Sequence, residues 1–432
     1  MKKPISVAII GGGPAGLSAL HSLKEQNVLL IEKGTHINKR KHRENEDLNI
    51  GIGGAGLFSD GKFSYYPSGT NLYKLARTSD LIEAYENTSN ILNSCNIKSI
   101  PYPSTFLPSN RKDLLKTYPS FYGGLDDRID LVNKLVSGAD EKIMCNTEVI
   151  SIQKIQMGYV LNCRNETENF SIITSSIILS TGKFSFDSFL RKRRLRYDIG
   201  IRIETKHNIS LFNKSKYPDV KLIWKRNNLE IRTFCTCKKG EVWGLEYENY
   251  SCLSGRSDGR DTEFSNFGLL IRYQGESFDR GRRIYEETIK ELENNIYYQS
   301  LDGFLNNNGA IKVLESEERP WFPKAKFKPE KLMELMPAEL YLDLSIGLNC
   351  LLKEVPDLDN EYTYCLFPAI EGSGAYYEHE DLKIPDENIW VIGDVSGGFR
   401  GIIPAMVSGR YVGNHINKML MTNDIKIVSE NR

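Results

Sequence analysis

The sequence predicts an α/β fold whose parallel sheet is assembled from discontinuous segments and interrupted by an inserted, mainly antiparallel β-sheet (α+β) domain. Three observations carry that prediction. Apolar, strand-like runs ending in glycine turns occur near both ends of the 432-residue chain. The first run leads directly into a glycine-rich turn and a helix. Between the two ends lies a stretch of short aromatic and β-branched runs broken by charged turns.

The opening unit spans residues 7–32, VAIIGGGPAGLSALHSLKEQNVLLIE. Val7 to Ile10 suit a buried parallel strand. Gly11, Gly13 and Gly16 then supply G-x-G-x-x-G spacing. The first glycine permits a tight turn, the second lets backbone approach a pyrophosphate, and the third allows close helix–strand packing. Pro14 and Ala15 open a helix whose N-terminus presents N–H groups and partial positive charge to phosphates. The second apolar run, Val28 to Ile31, ends in Glu32 and Lys33. An acidic side chain there suits a ribose 2′-OH and repels a 2′-phosphate. Strand, glycines, helix, second strand and terminal Glu together predict a Rossmann-like dinucleotide site.

The second glycine-rich segment runs from Gly51 to Lys62. Ile52, Ala55, Leu57 and Phe58 make it too apolar for a solvated linker, so Gly53, Gly54 and Ala55 are expected to contact a planar ligand. Residues 71–137 read as a polar, helix-leaning insertion. Asn146 to Ile152 and Tyr159 to Cys163 read as strands of a small antiparallel meander. The apolar run from Ile172 to Leu179 ends in Ser180, Thr181 and Gly182, a turn that returns the chain to the first sheet. Residues 183–347 form the inserted domain, with strands at Ile199–Ile203 and Ile231–Phe234 and a helix around Tyr285–Tyr298. It carries no second glycine fingerprint. Residues 348–432 return to the first sheet through Asn388 to Ile392, then Gly393 and Asp394, then a helix beginning near Ile403.

Composition narrows the function. Hydrophobic content is 40% and charged content 26%, ordinary values for a globular protein. Lys+Arg and Asp+Glu both number 56, so no global field would recruit nucleic acid or an anionic membrane. The apolar run after Lys3 stops at Gly11, too short for a signal peptide, and no stretch reaches a membrane span. A cytoplasmic location is expected, with neither membrane nor nucleic-acid partner. The eight cysteines show no four-ligand spacing, so no metal site is expected. No feature points to an oligomeric state.

In order, GGGPAG, Glu32, IILSTG and WVIGDVSG resemble the FAD-binding segments of the glutathione-reductase-like flavoproteins. The chain more closely resembles the poorly characterised NAD(FAD)-utilising dehydrogenase family. The segments that carry this are GIGGAGLFSDGKF (51–63), YDIGIRIE (197–204), IRTFCTCKKGEV (231–242), SNFGLLIR (265–272) and IGDVSGGFRGIIPAMVSGRYV (392–412). Ser254-Gly255-Arg256-Ser257 stands where that family has an Asn-Gly-x-Ser stretch, so any role of its asparagine is lost or moved.

The resemblance implies a Rossmann-like FAD-binding domain (1–182 and 348–432) with a substrate domain (183–347) inserted in it. It implies non-covalent FAD. Gly11, Gly13, Pro14, Ala15 and Gly16 would lie on the pyrophosphate, with Glu32 and Lys33 at the adenosine ribose. Gly53, Gly54 and Ala55 would pass near the flavin, and Thr181 and Gly182 would also contact the cofactor. Gly393 and Asp394 would meet the ribityl–pyrophosphate arm, and Arg400, Gly401 and Ile402 the pyrimidine edge. A guanidinium there favours the anionic reduced ring.

The implied activity is that of an FAD-dependent oxidoreductase, a dehydrogenase or reductase, exchanging a hydride between flavin N5 and a small-molecule substrate. NADH or NADPH would serve only as a transient donor. A flavin monooxygenase or halogenase is the alternative. Against it, the Trp-x-Trp-x-x-Ile-Pro signature is absent, and Glu141 replaces the glycine of the hydroxylase motif after Asp140. A tRNA-modifying flavoprotein sits poorly with zero net charge. A binding protein that lost its cofactor sits poorly with intact Glu32 and Asp394. Candidate acid–base groups are His379, Glu371 and Tyr377, for each of which a solvated loop is the plainer reading. Cys235 and Cys237 read as structural cysteines on one strand face.

Overall fold

The computed structural model describes residues 4–41, 48–106, 114–182, 194–226, 229–247, 250–257, 261–292, 294–306, 319–375 and 381–422. The chain divides into two compact units. The first comprises Met1–Phe106, Phe121–Arg194 and Gly374–Arg432, and the second Leu107–Ser120 and Leu195–Ser373.

The first unit is built on a seven-stranded sheet. Strand β1 (Ile5–Ile10) is followed by helix α1 (Pro14–Leu23) and strand β2 (Val28–Ile31). β1 pairs in parallel with β2 on one side and with the strand Asn169–Leu179 on the other. Val7, Ala8 and Ile9 are fully buried, as a parallel strand covered on both faces requires. The strand Asn169–Leu179 is shared between two arrangements. Its second half also pairs in parallel with Ile389–Val391, while its first half pairs antiparallel with Gly158–Arg164, and that strand with Glu148–Ile155. The predicted meander and the return near Asn388 are therefore both parts of one sheet.

α1 packs along the C-terminal helix Ile402–Met421 at a separation that only small residues allow. A Cβ on Gly409 would sit 2.1 Å from the Ala15 carbonyl oxygen, and one on Gly413 would sit 2.8 Å from Ser22 Cβ. Within this interface Arg410 donates to His21 Nδ1 at 3.0 Å. Burial, then the Arg410 charge, push the His21 pKa down to about 4, which keeps the ring neutral at physiological pH.

The second unit carries an eight-stranded sheet and a three-stranded one. The long strands Arg194–Lys206, Phe264–Gln274 and Leu229–Cys237 lie side by side, antiparallel. Alternation gives the large sheet one apolar face. On it Ile199, Ile271 and Ile231 align across three strands. Helix Ala338–Glu354 covers this face through Gly347, whose Cβ would approach Ile231 to 2.9 Å.

Two boundaries differ from the expectations. Residues 348–373 stay with the second unit, because the strand Tyr364–Ala375 belongs to its large sheet. Residues 107–120, expected in a helical insertion, also belong there: Leu115–Lys116 pairs with Lys221–Arg226. The expected helix around Tyr285–Tyr298 runs Phe278–Glu291 instead. Leu292 caps it, Asn294 follows with φ +63, and Ile296–Ser300 continues as a strand.

Candidate functional site

The carboxyl ends of four parallel strands meet at one edge of the first unit, where open α/β sheets bind ligands. β1 is followed by Gly11, β2 by Glu32, Asn169–Leu179 by Ser180, and Ile389–Val391 by Ile392 and then Gly393. Each turn is tied to its neighbour. The Gly11 N–H donates to the Ile31 carbonyl at 2.8 Å and the Ile392 N–H to the Leu179 carbonyl at 2.9 Å. The Ser180 hydroxyl lies 2.9 Å from the Ile10 carbonyl oxygen and 2.8 Å from that of Gly11.

The three fingerprint glycines serve three different steric ends. Gly11 adopts φ +103, and a Cβ on it would strike the Ser180 carbonyl oxygen at 2.6 Å. A Cβ on Gly16 would sit 2.0 Å from the Gly11 carbonyl oxygen, so α1 can lie against the turn only without one. Gly13 is the exception. It caps α1 with φ −76, and an added Cβ would meet nothing within 4 Å. That free space lies at the helix N-terminus, where first-turn N–H groups have no intrahelical acceptor. The donor set and the open cradle fit a pyrophosphate.

The second glycine segment is braced against the first. The Gly53 N–H donates to the Gly12 carbonyl at 2.8 Å, and a Cβ on Gly54 would lie 2.9 Å from Gly13 Cα. Gly54–Leu57 forms a short helix, α2, with Ala55 exposed. Arg40 holds this loop from outside, donating to the carbonyls of Ile52 at 3.0 Å and Gly54 at 2.9 Å. Pro14, Gly53, Gly56, Leu57, Ile402 and Met406 line a small apolar cavity beside it.

Glu32 is at the expected strand end but already has partners. Its Oε2 accepts the Gly12 N–H at 2.6 Å, and its Oε1 accepts those of Gly34 and Gly51, both at 2.9 Å. The side chain is buried. A carboxylate offers roughly four acceptor sites, so about one remains for a ribose hydroxyl. Glu32 therefore also joins the first glycine turn to the second glycine loop. Lys33 beside it is exposed.

Gly393 and Asp394 open a short 3-10 turn, with Asp394 half-buried. A Cβ on Gly393 would come within 2.8 Å of Ala15 Cβ, and its N–H is 3.1 Å from Ser408 Oγ. Gly401, at φ +102, caps the C-terminal helix; Arg400 before it and Ile402 after it are half-buried. Gly182 has φ +79, with nothing within 4 Å of an added Cβ. Among the expected acid–base groups, Glu371 lies half-buried on Tyr364–Ala375, in the second unit. Tyr377 and His379 lie outside the described residues.

The cysteine pair sits in a β-bulge. The register between Leu229–Cys237 and Phe264–Gln274 shifts between Phe234 and Cys237, and Cys235 adopts φ +48. The two sulfurs are 3.9 Å apart, and Cys237 Sγ lies 3.5 Å from the buried Arg202 guanidinium. A plain strand reading does not contain this bulge.

Arg40 and Ser180 were not singled out as site residues by sequence reasoning. Ser180 carried a signal, its place at the strand-to-turn junction; Arg40 carried none, because its acceptors lie on a loop that only folding brings near.

Among the described residues, no helix is long and apolar enough to cross a membrane. No family model and no curated relative matches the chain. Among solved structures, it is similar to a geranylgeranyl bacteriochlorophyll reductase-like protein from Thermoplasma acidophilum, at 12% identity over 98% of this chain and 80% of that one, TM-score 0.45. It is similar to pyridoxine 4-oxidase from Mesorbium loti at 11% identity over 96% and 99% of the two chains, TM-score 0.45. A tetracycline destructase shares 11% identity over 98% and 83%, TM-score 0.35. With TM-scores below 0.5 these likenesses decide neither fold nor activity.

Proposed function

We propose that this protein is an oxidoreductase that binds FAD non-covalently at the carboxyl edge of the first unit's parallel sheet. The observation that carries the reading is the convergence of Gly11–Gly16, Glu32 and Gly393–Asp394 around a helix N-terminus with open space at Gly13. Gly13, Ala15 and Gly16 would hold the pyrophosphate by backbone N–H groups and the helix dipole. Glu32 would offer its remaining acceptor site to the adenosine ribose, and Asp394 its carboxylate to a ribityl hydroxyl. Gly53 and Gly54, on the loop whose Ile52 and Gly54 carbonyls accept from Arg40, would pass near the ring with backbone rather than side chains. Arg400 and Gly401 would face its pyrimidine edge.

When bound, the flavin supplies hydride exchange at N5 with a small-molecule substrate. The chain's own residues bind, orient and set the local charge. The second unit is the proposed substrate domain. No second glycine fingerprint occurs in the sequence, so NADH or NADPH would act only as a transient donor.

The test is a visible spectrum of the purified protein. A flavin band released by denaturation, and converted to FMN by phosphodiesterase, supports the reading. A colourless protein that FAD cannot reconstitute overturns it.

A further inference from the structure

The large sheet of the second unit has an ionic face opposite its apolar one. Asp198 pairs in register with Arg272, and Arg272 with Glu230. Arg232 is opposite Ile223, and Lys221, two residues before Ile223, is opposite Lys116. Residues opposite one another, or two apart on a strand, share a face. These side chains therefore stand together although they come from five strands.

The face does not balance its charge. Arg272 holds Asp198 by two hydrogen bonds, at 2.7 and 3.0 Å, and reaches Glu230 at 3.2 Å. Arg196 lies 3.4 Å from Asp198, and Arg232 lies 3.3 Å from Glu230. Lys221 stands 3.9 Å from Asp219, whose carboxylate already accepts the Tyr118 hydroxyl and the Thr236 N–H. The Lys116 side chain makes no hydrogen bond or ion pair among the described residues. Among the described residues, these five basic side chains thus meet three carboxyl groups. The Lys221, Arg232 and Arg272 side chains are only 11%, 12% and 15% exposed, so water screens the surplus weakly.

The surplus is concentrated at the Lys116 edge. Burial and the nearby Arg232 charge push the Lys116 pKa down; burial, with Arg232 and Lys116 adding to it, brings Lys221 down to about 7. The Lys221 ammonium also lies 5.1 and 4.8 Å from the ring centroids of Tyr118 and Phe234, which hold it in place. Elsewhere on the face Arg202 donates to Asn266 and the Cys235 carbonyl, Glu204 Oε1 accepts from Arg319 and Trp321, and Lys225, opposite Glu230, is exposed.

We propose that Lys116, Lys221 and Arg232 form a binding site for an oxyanion, a carboxylate or phosphate group carried by the substrate. Assigning that anion to a substrate rests on the oxidoreductase reading above; the site itself rests on the second unit alone. Two ammonium point charges and one planar fork suit either group. Binding neutralises the surplus charge and relieves the mutual repulsion of the three cations.

The experiment is isothermal titration of the FAD-saturated protein with inorganic phosphate and, separately, malonate, at ionic strength held constant with chloride. Saturable one-site binding of either anion is expected, and the anion that saturates identifies carboxylate or phosphate chemistry. K116M/K221M should weaken it by about tenfold or more, while K221R retains it. K116M alone, on a two-residue edge strand, provides a milder variant if the double one folds poorly. No saturable binding of either anion, or unchanged binding in the lysine variants, overturns the proposal. Flavin content, read from visible absorbance in the same samples, tests the cofactor reading independently: loss of flavin with retained anion binding would sink that reading and leave this site standing.

Discussion

Replacing Glu32 by Ala removes a carboxylate that receives three backbone N–H groups, those of Gly12, Gly34 and Gly51. Two consequences separate by the state of the protein. Without FAD, the bonds from Gly12 and Gly51 are buried, and losing their charged acceptor should destabilise the fold by ~2–5 kcal/mol, the Gly34 bond being partly replaceable by water. With FAD, one further bond to the adenosine ribose is lost, ~1.5–3 kcal/mol for a charged acceptor, or about 10–150-fold in Kd. The two effects are read by urea denaturation of the FAD-free protein and by flavin-fluorescence titration. Glu32→Gln should fall between wild type and Glu32→Ala, because one oxygen still accepts while the amide NH2 opposes a backbone N–H. An unchanged denaturation midpoint for FAD-free Glu32→Ala, alongside weakened FAD binding, would refute the idea that Glu32 joins the two glycine loops.

Gly13→Ala and Gly16→Ala should part company: the first has room for its methyl group and keeps its stability but loses FAD, whereas the second collides with the Gly11 carbonyl oxygen and lowers Tm. Equal Tm losses in the two would contradict the open cradle at Gly13. His21 has a folded pKa of about 4 against 6.5 unfolded, so the unfolded chain binds the extra proton between those values. Stability is then full above about pH 6.5 and declines as the pH falls toward 4; His21→Asn should flatten that decline in denaturation curves taken across the window. A Cys235→Ser/Cys237→Ser variant should retain its flavin and consume as many electrons as wild type in anaerobic titration; two fewer would reveal a redox-active disulfide. Stopped-flow reduction by NADH or NADPH should not saturate at micromolar concentration, since a second preformed phosphate cradle is absent from the sequence; saturation there would reveal a nicotinamide pocket.

The features legible along the chain are local. Gly11, Gly13 and Gly16, the apolar runs before them and before Glu32, and the Gly393-Asp394 turn were legible because each expresses a constraint acting within a few residues: φ above zero, room for a helix, or burial on both faces of a parallel strand. Tertiary structure decided what depends on pairing between distant segments. Alternation says which side of a strand Lys116 or Lys221 occupies, but not that these two strands lie next to each other. The bulge at Cys235, the retention of residues 364–373 in the second unit and the grip of Arg40 on Ile52 and Gly54 have the same origin. Glu32 shows the division within one residue. Its place at the end of β2 followed from spacing, whereas the turn of its carboxylate toward Gly12, Gly34 and Gly51 required those backbone donors to be gathered around it, with burial leaving Gly12 and Gly51 no water to bond instead.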